Sequence, residues 1–201
     1  TIGSRTYKTQ YGYDNSGNLT QVLYPTESPL VRKGEADFQY DDGNRVSLVT
    51  TKVNGTTTPV ANTFSYKPFG PRTQMTFGNT LRDTRTYGSR YQLGMWTVGV
   101  APTYDTTLKY NHVFNNDLNL TSRTDGVTPA NNRTFGYDEI HRLTQATATG
   151  LWGPGTSCGG VTYTYDLNSN RQCKGENASA TNYAYAPSTN RLASSSGGEI
   201  A

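Results

Sequence analysis

One pattern recurs from end to end of this 201-residue chain and limits what it can become. In its fullest form it reads Phe135-Gly136-Tyr137-Asp138-Glu139-Ile140-His141-Arg142-Leu143. Phe135 and Tyr137 alternate, so they leave one face of a strand. A polar run follows, and Leu143 restarts the apolar pattern. The expected local structure is strand, tight turn, strand. Asp138 sits where a carboxylate accepts hydrogen bonds from backbone N–H groups a few residues on and clasps the turn from within.

The same template, aromatic, any residue, Tyr, Asp, two polar residues, Gly or Asn, Arg or Asn, then Leu, fits Tyr11-Gly12-Tyr13-Asp14-Asn15-Ser16-Gly17-Asn18-Leu19 throughout. Phe38-Gln39-Tyr40-Asp41-Asp42-Gly43-Asn44-Arg45-Val46 matches with Asn44 at the position where a positive φ is needed. Tyr163-Thr164-Tyr165-Asp166-Leu167-Asn168-Ser169-Asn170-Arg171 is a further clear copy. Phe64-Ser65-Tyr66, Thr86-Tyr87-Gly88 and Val113-Phe114-Asn115 open degenerate copies, and Tyr183-Ala184-Tyr185 leads to Asn190-Arg191-Leu192 with one extra turn residue. After Tyr66, Lys67-Pro68-Phe69-Gly70-Pro71 carries prolines that cannot donate to a ladder and marks a loop or an edge. A spacing of about 20 to 28 residues is two strands and two turns, in the range of solenoids and arrays. Residues 1–201 therefore read as one continuous array of about eight copies, a segment of something longer.

Composition agrees. Only 33% of residues are hydrophobic and mean hydropathy is -0.70, with 15 Tyr, 21 Gly and 9 Pro. A compact domain of this size usually carries about 45% apolar residues, so a thick two-sided core is excluded. A single-layer sheet wetted over much of its surface needs less. Regular aromatic pairs and modest charge oppose disorder. The fold class is all-β: antiparallel hairpins in a single-layer, curved or spiralling sheet. Eight copies at two strands each require about 16 strands, and a sheet of that kind keeps two edges open to neighbouring repeats or to other copies of the chain.

The net charge is +3, with Lys and Arg spread singly. No phosphate-binding stripe is present, so no nucleic-acid partner is implied. Arg45, Arg142, Arg171 and Arg191 share one template position and read as turn-packing or solvent-facing arginines. No 18-residue apolar run or signal-peptide pattern occurs. Cys158 and Cys173 flank the Tyr165-Asp166 turn. A simple hairpin sets residue 173 opposite about residue 163, which argues against a direct bridge, while Gly159-Gly160 can bend the strand toward one; the disulfide stays open.

Three strings imitate active sites, and each lacks its context. Gly155-Thr156-Ser157-Cys158-Gly159 has nucleophile-elbow spacing but is followed by another strand instead of a helix. Asp166-Leu167-Asn168-Ser169-Asn170 begins like a calcium loop, yet Arg171 stands where its central glycine belongs. His112 and His141, the only histidines, have no second ligand at metal spacing. No catalytic residue, cofactor or metal site is expected. Asn18, Asn54, Asn119, Asn132 and Asn177 open Asn-x-Ser/Thr sequons, a number that the composition alone accounts for.

The pairs Tyr13-Asp14, Tyr40-Asp41, Tyr137-Asp138 and Tyr165-Asp166, with Gly17-Asn18-Leu19 and Arg142-Leu143 after them and Phe77-Gly78-Asn79 as a Gly-Asn variant, make the chain resemble a run of RHS/YD repeats. The resemblance covers essentially the whole chain. It implies a long spiralling β-sheet of the kind that closes around a toxin domain in bacterial polymorphic toxins and insecticidal toxin complexes, or that serves cell-surface adhesion in teneurins. The implied function is a non-catalytic structural module, secreted or at the cell surface. The family's self-cleaving signature contains Asp-Pro, which this sequence lacks. The competing reading is an adhesion module whose exposed tyrosines stack on carbohydrate or on a partner protein. The direction of the tyrosines, and of Trp96 and Trp152, separates the two.

Overall fold

The computed structural model describes residues 8–25, 34–148, 161–176, 179–187 and 189–196. Among these residues, sixteen antiparallel strands follow one another in sequence order in an open sheet, with no crossover and no closure into a barrel. They come as hairpins: β1 Gln10–Tyr13 with β2 Leu19–Leu23, β3 Gly34–Tyr40 with β4 Val46–Val53, β5 Thr56–Tyr66 with β6 Arg72–Phe77, and β7 Arg82–Tyr87 with β8 Leu93–Gly99. The second half continues with β9 Leu108–Phe114 and β10 Leu120–Asp125, β11 Arg133–Tyr137 and β12 Leu143–Ala148, β13 Val161–Tyr165 and β14 Arg171–Glu176, and β15 Ser179–Tyr185 and β16 Leu192–Ser195. A single 3-10 turn, Pro129–Asn131, is the one helical element among the described residues.

Two compact units divide the chain. The first comprises Thr1–Tyr87 with Trp96–Thr107, and the second Gly88–Met95 with Leu108–Ala201. The buried apolar residues are small, Ala36 and Ala61 in the first unit and Ala146 and Cys173 in the second, and no large side chain among the described residues is fully enclosed. This is what a single layer permits, and it explains how so hydrophilic a sequence folds: backbone ladders and cross-strand side-chain pairs replace a deep apolar core.

The turns explain the template. In the first unit, the amide of Asp14 donates to the Asn18 carbonyl at 3.0 Å, that of Asp41 to Arg45 at 2.8 Å, and that of Lys67 to Pro71 at 3.1 Å. In the second, Gly88 donates to Gln92, Asn115 to Asn119, Asp138 to Arg142 and Asp166 to Asn170, at 2.9 to 3.0 Å. The amide three residues into each turn donates back to the first carbonyl, as from Gly17 to Asp14 and from His141 to Asp138. A tight turn followed by one left-handed residue is the three-residue hairpin with a bulge. Accordingly Gly17, Asn44, Tyr91, Leu118, His141 and Ser169 all have φ between 57° and 83°. The ladder slips where the bulge falls, between Gly136 and Tyr137 and between Thr164 and Tyr165. The connection from Ala186 to Arg191 is one residue longer, as its sequence implies.

Asn54-Gly55, read above only as a sequon, is a two-residue turn joining β4 to β5, with φ of 52° and 83° and Val53 opposite Thr56. The Asn-Gly dipeptide suits that mirror-image turn because both central residues need positive φ. Pro59 lies inside β5 opposite Thr50, next to a register shift between Val49 and Thr50 that accommodates its missing N–H.

Candidate functional site: the turn row and the tyrosine links

Each clear copy of the motif builds the same clasp. Oδ1 of Asp14 accepts from the amides of Ser16 and Asn18 at 2.9 and 2.8 Å. Asp41 does so from Gly43 and Arg45 at 2.9 Å each. Asp138 accepts from Ile140 and Arg142 at 3.2 and 2.9 Å, and Asp166 from Asn168 and Asn170 at 2.9 and 2.8 Å. The second oxygen takes the side chain four residues on: Asn18 Nδ2 at 2.9 Å, Arg45 Nε at 2.9 Å, Arg142 Nε at 2.6 Å, Asn170 Nδ2 at 2.9 Å. Asn115 replaces the aspartate in its copy and still accepts from the amides of Asp117 and Asn119 at 3.0 and 2.9 Å.

Hydrogen bonds to the ionised form lower a carboxyl's pKa. The side-chain bond from Asn18 leads for Asp14, and those from Arg45 and Asn170 lead for Asp41 and Asp166. At Asp138 burial pushes the pKa up, and the Arg142 guanidinium and amide outweigh it, so all four lie below the ordinary carboxylate value.

The residue four places after the aspartate also reaches the next turn. Asn18 Nδ2 donates to Asn44 Oδ1 at 3.1 Å and Asn170 Nδ2 to Asn190 Oδ1 at 3.0 Å, while Asn119 Nδ2 lies 2.8 Å from His141 Nδ1. Arg45 donates to the Lys67 carbonyl at 3.2 Å and lies 4.7 Å over the Tyr66 ring. Arg142 donates to the Asp166 carbonyl at 3.2 Å and to Ser169 Oγ at 3.1 Å, 4.6 Å over the Tyr165 ring. Arg171 does not share this position. Asn170 fills it, and Arg171 opens β14, bonding the Tyr183 hydroxyl at 2.7 Å. The bulge fixes the count and makes the residue after Asn170 the first of the strand. Arg191 is exposed, and its amide donates to Thr189 Oγ1 at 3.3 Å.

The motif tyrosine binds the preceding hairpin. In the first unit the hydroxyls of Tyr40, Tyr66 and Tyr87 donate to the carbonyls of Leu19, Val46 and Arg72 at 2.8, 2.6 and 3.0 Å. In the second, Tyr137, Tyr165 and Tyr185 donate to Leu120, Leu143 and Arg171 at 3.0, 2.7 and 3.0 Å. Every acceptor is the first residue of an even-numbered strand. Partial burial raises the phenol pKa of Tyr66, Tyr137 and Tyr165.

Comparison with solved structures gives the same architecture. The chain superposes on a crystal structure of TcdB2-TccC3 with a TM-score of 0.77 at 15% identity, over 94% of this chain and 10% of that one. The TcdB2-TccC3-Cdc42 crystal structure gives 0.76 at 16% identity over 94% and 10%, and a Photorhabdus luminescens Tc holotoxin pore gives 0.74 at 16% over 92% and 10%. The shell of the TcdB2-TccC3 complex is built of RHS/YD repeats. This chain shares the fold of those structures. It spans about a tenth of the length of the chains it matches. No protein-family model and no curated protein match the sequence.

Within this sheet, several residues have partners that no motif announces. Asp83, 2% exposed, accepts from Arg85 at 3.0 and 3.1 Å and from the Trp96 indole at 3.1 Å, with Arg72 at 3.4 Å. Burial lowers the Arg85 pKa and the Asp83 carboxylate more than offsets it. Asp125, 6% exposed, holds the turn before the 3-10 segment through the amides of Val127 and Thr128, at 2.9 Å each, and Asn131 Nδ2 at 3.0 Å. His112 sits 3.3 Å from the Gly94 carbonyl, with its pKa lowered by burial.

Ser157, with the rest of 155–159, and Trp152 lie outside the described residues, as does Cys158. Cys173, 7% exposed in β14 opposite Thr164, is disulfide-bonded. The Asp166 loop turns its carboxylate onto its own amides, and no grouping of His, Cys, Asp and Glu among the described residues could hold a metal. Two recesses in the first unit, one lined by Val60, Phe77, Gly78, Asn79 and Leu81 and the other by Gly43, Arg45, Pro68, Phe69 and Gly70, bring together no nucleophile with a base. No described helix is long and apolar enough to cross a membrane.

Proposed function

We propose that this chain is a non-catalytic run of an RHS/YD-repeat wall in a secreted or cell-surface assembly, where neighbouring repeats continue its sheet. The repeated bond from a motif tyrosine to the carbonyl of the preceding hairpin carries this reading. In six copies it uses the tyrosine just before the turn as a tie between repeats. The likeness to the Tc complexes supports a structural repeat module, and the oxidised Cys173 suits an oxidising compartment. Although Tyr11, Tyr13 and Tyr24 are exposed, the six linking tyrosines are half-buried and Trp96 is tied to Asp83, which favours the structural reading over carbohydrate binding. Electron cryo-microscopy of the full product of the reading frame encoding this chain tests the proposal. The expected result is these hairpins as consecutive members of a longer continuous sheet. A free-standing domain outside any such sheet would overturn it.

A further inference from the structure

The Asn54-Gly55 turn between β4 and β5 differs from the motif turns in how its amides are held. Both residues are exposed, the Asn54 side chain makes no hydrogen bond among the described residues, and the Gly55 amide donates to none of them. A Cβ placed on Gly55 would meet nothing within 4 Å. Elsewhere among the described residues, where Asn or Asp is followed by Gly or Ser, the second amide is occupied. Ser16 and Gly43 donate to the carboxylates of Asp14 and Asp41, Ser169 to the Asp166 carbonyl, and Gly126 to the Lys109 carbonyl.

A free amide after an asparagine is a nucleophile in waiting. The Gly55 nitrogen gives its proton to hydroxide and forms a bond to Asn54 Cγ; the Cγ–Nδ2 bond then breaks, and Nδ2 takes a proton from water and leaves as ammonia. Water opens the resulting succinimide at either carbonyl. Attack at the side-chain carbonyl leaves aspartate, and attack at the main-chain carbonyl leaves isoaspartate. Nothing is oxidised or reduced. Glycine favours the first step because it has no Cβ to shield its nitrogen, whereas an amide already donating a hydrogen bond is free neither to ionise nor to turn toward Cγ.

We propose that Asn54-Gly55 is a self-modification site, and that its conversion to isoaspartate opens the end of the β4–β5 hairpin. The turn needs positive φ at both central residues, 52° and 83° here, with Val53 paired to Thr56 across it. Isoaspartate routes the main chain through the side-chain carbons and lengthens a two-residue connection by one methylene, so the turn no longer closes on that pair. Residues 53–60 are all exposed and have little packing to hold their register once the turn is lost. The opening stops at Ala61, which is buried and still faces Val49 on one side and Phe77 on the other. The proposal is independent of the repeat-module reading, because it needs only this hairpin.

Prolonged incubation of the intact chain at mildly alkaline pH, followed by peptide mapping with mass spectrometry, tests it. The peptide carrying Asn54 should gain the mass that exchange of NH2 for OH gives, ahead of the peptides carrying Asn15 and Asn168, and isoaspartate should be among its products. The melting temperature of the aged chain should fall below that of the fresh one. Asn54→Gly leaves a glycine pair suited to the same turn, and this variant should lose both the mass gain at the turn and the decline on ageing. An unconverted Asn54, conversion led by Asn15 or Asn168, aspartate with no isoaspartate, or a decline on ageing that persists in Asn54→Gly or is absent from the parent chain overturns the proposal.

Discussion

The Tyr165 hydroxyl donates to the Leu143 carbonyl at 2.7 Å across the junction between β12 and β13, while the Arg142 guanidinium lies 4.6 Å over the Tyr165 ring. One side chain thus joins two hairpins by an edge bond and a face contact, and the arginine that covers it is also held by Asp138 of its own turn. The turn clasp and the link between repeats form one connected system.

Tyr165→Phe should keep the ring and its cation contact but leave the Leu143 carbonyl without its donor. Loss of one partly buried hydrogen bond costs about 1 kcal/mol, which at this chain length lowers the melting temperature by about 2–4 °C. Thermal unfolding followed by circular dichroism measures it, and an unchanged melting temperature would show that the hydroxyl contributes nothing.

Phe114 occupies the tyrosine place in its copy, ahead of the Asn115 turn, and Leu93 opens the strand that should supply its acceptor. Phe114→Tyr should therefore add the missing link and raise the melting temperature by a few degrees, about the size of the loss expected at Tyr165. A fall instead would mean that the hydroxyl finds no acceptor there.

Asp138→Ala leaves the amides of Ile140 and Arg142 and the Arg142 guanidinium without their acceptor and should destabilise the chain. Asp138→Asn should be the milder change, because Asn115 already makes the same two backbone bonds in its own turn. Equal melting temperatures for the two variants would remove the clasp from the account.

The pH dependence has two limbs. The folded pKa of Asp14, Asp41, Asp138 and Asp166 is below the ordinary value of 3.8, so the stability they contribute is present above that value and lost as pH falls through the lower folded values. At the other end, Tyr66, Tyr137 and Tyr165 have pKa values raised above 10.0, so their contribution is intact below pH 10.0 and lost as pH rises through the raised values. Melting temperature against pH should show both declines, and ultraviolet titration of the phenols should show a late-ionising group. A single tyrosine wave at the ordinary value would contradict the alkaline limb.

What the sequence determined by itself is the hairpin. Asp, a short polar run and a residue that tolerates positive φ act within a span of about five positions, so their hydrogen bonds close with no help from distant residues. That is why Tyr13-Asp14, Tyr40-Asp41, Tyr137-Asp138 and Tyr165-Asp166 were legible as turns, and why counting copies led to the strand number observed. The turns without an aspartate, opening at Lys67, Gly88, Asn115 and Ala186, were less distinct; the observed turns place Tyr91 and Leu118 at φ of 61° and 65°, where flanking strand pairs must compensate for unfavourable side chains. Only the tertiary structure decided what the motif tyrosine and the arginine or asparagine near the end of the turn are for. Their partners belong to the neighbouring hairpin, 14 to 27 residues away, and many are backbone carbonyls, which every residue possesses and no residue type announces. The Asp83 cluster was illegible for the same reason: Arg72, Arg85 and Trp96 meet that carboxylate only after three strands have paired, and pairing depends on the whole sheet.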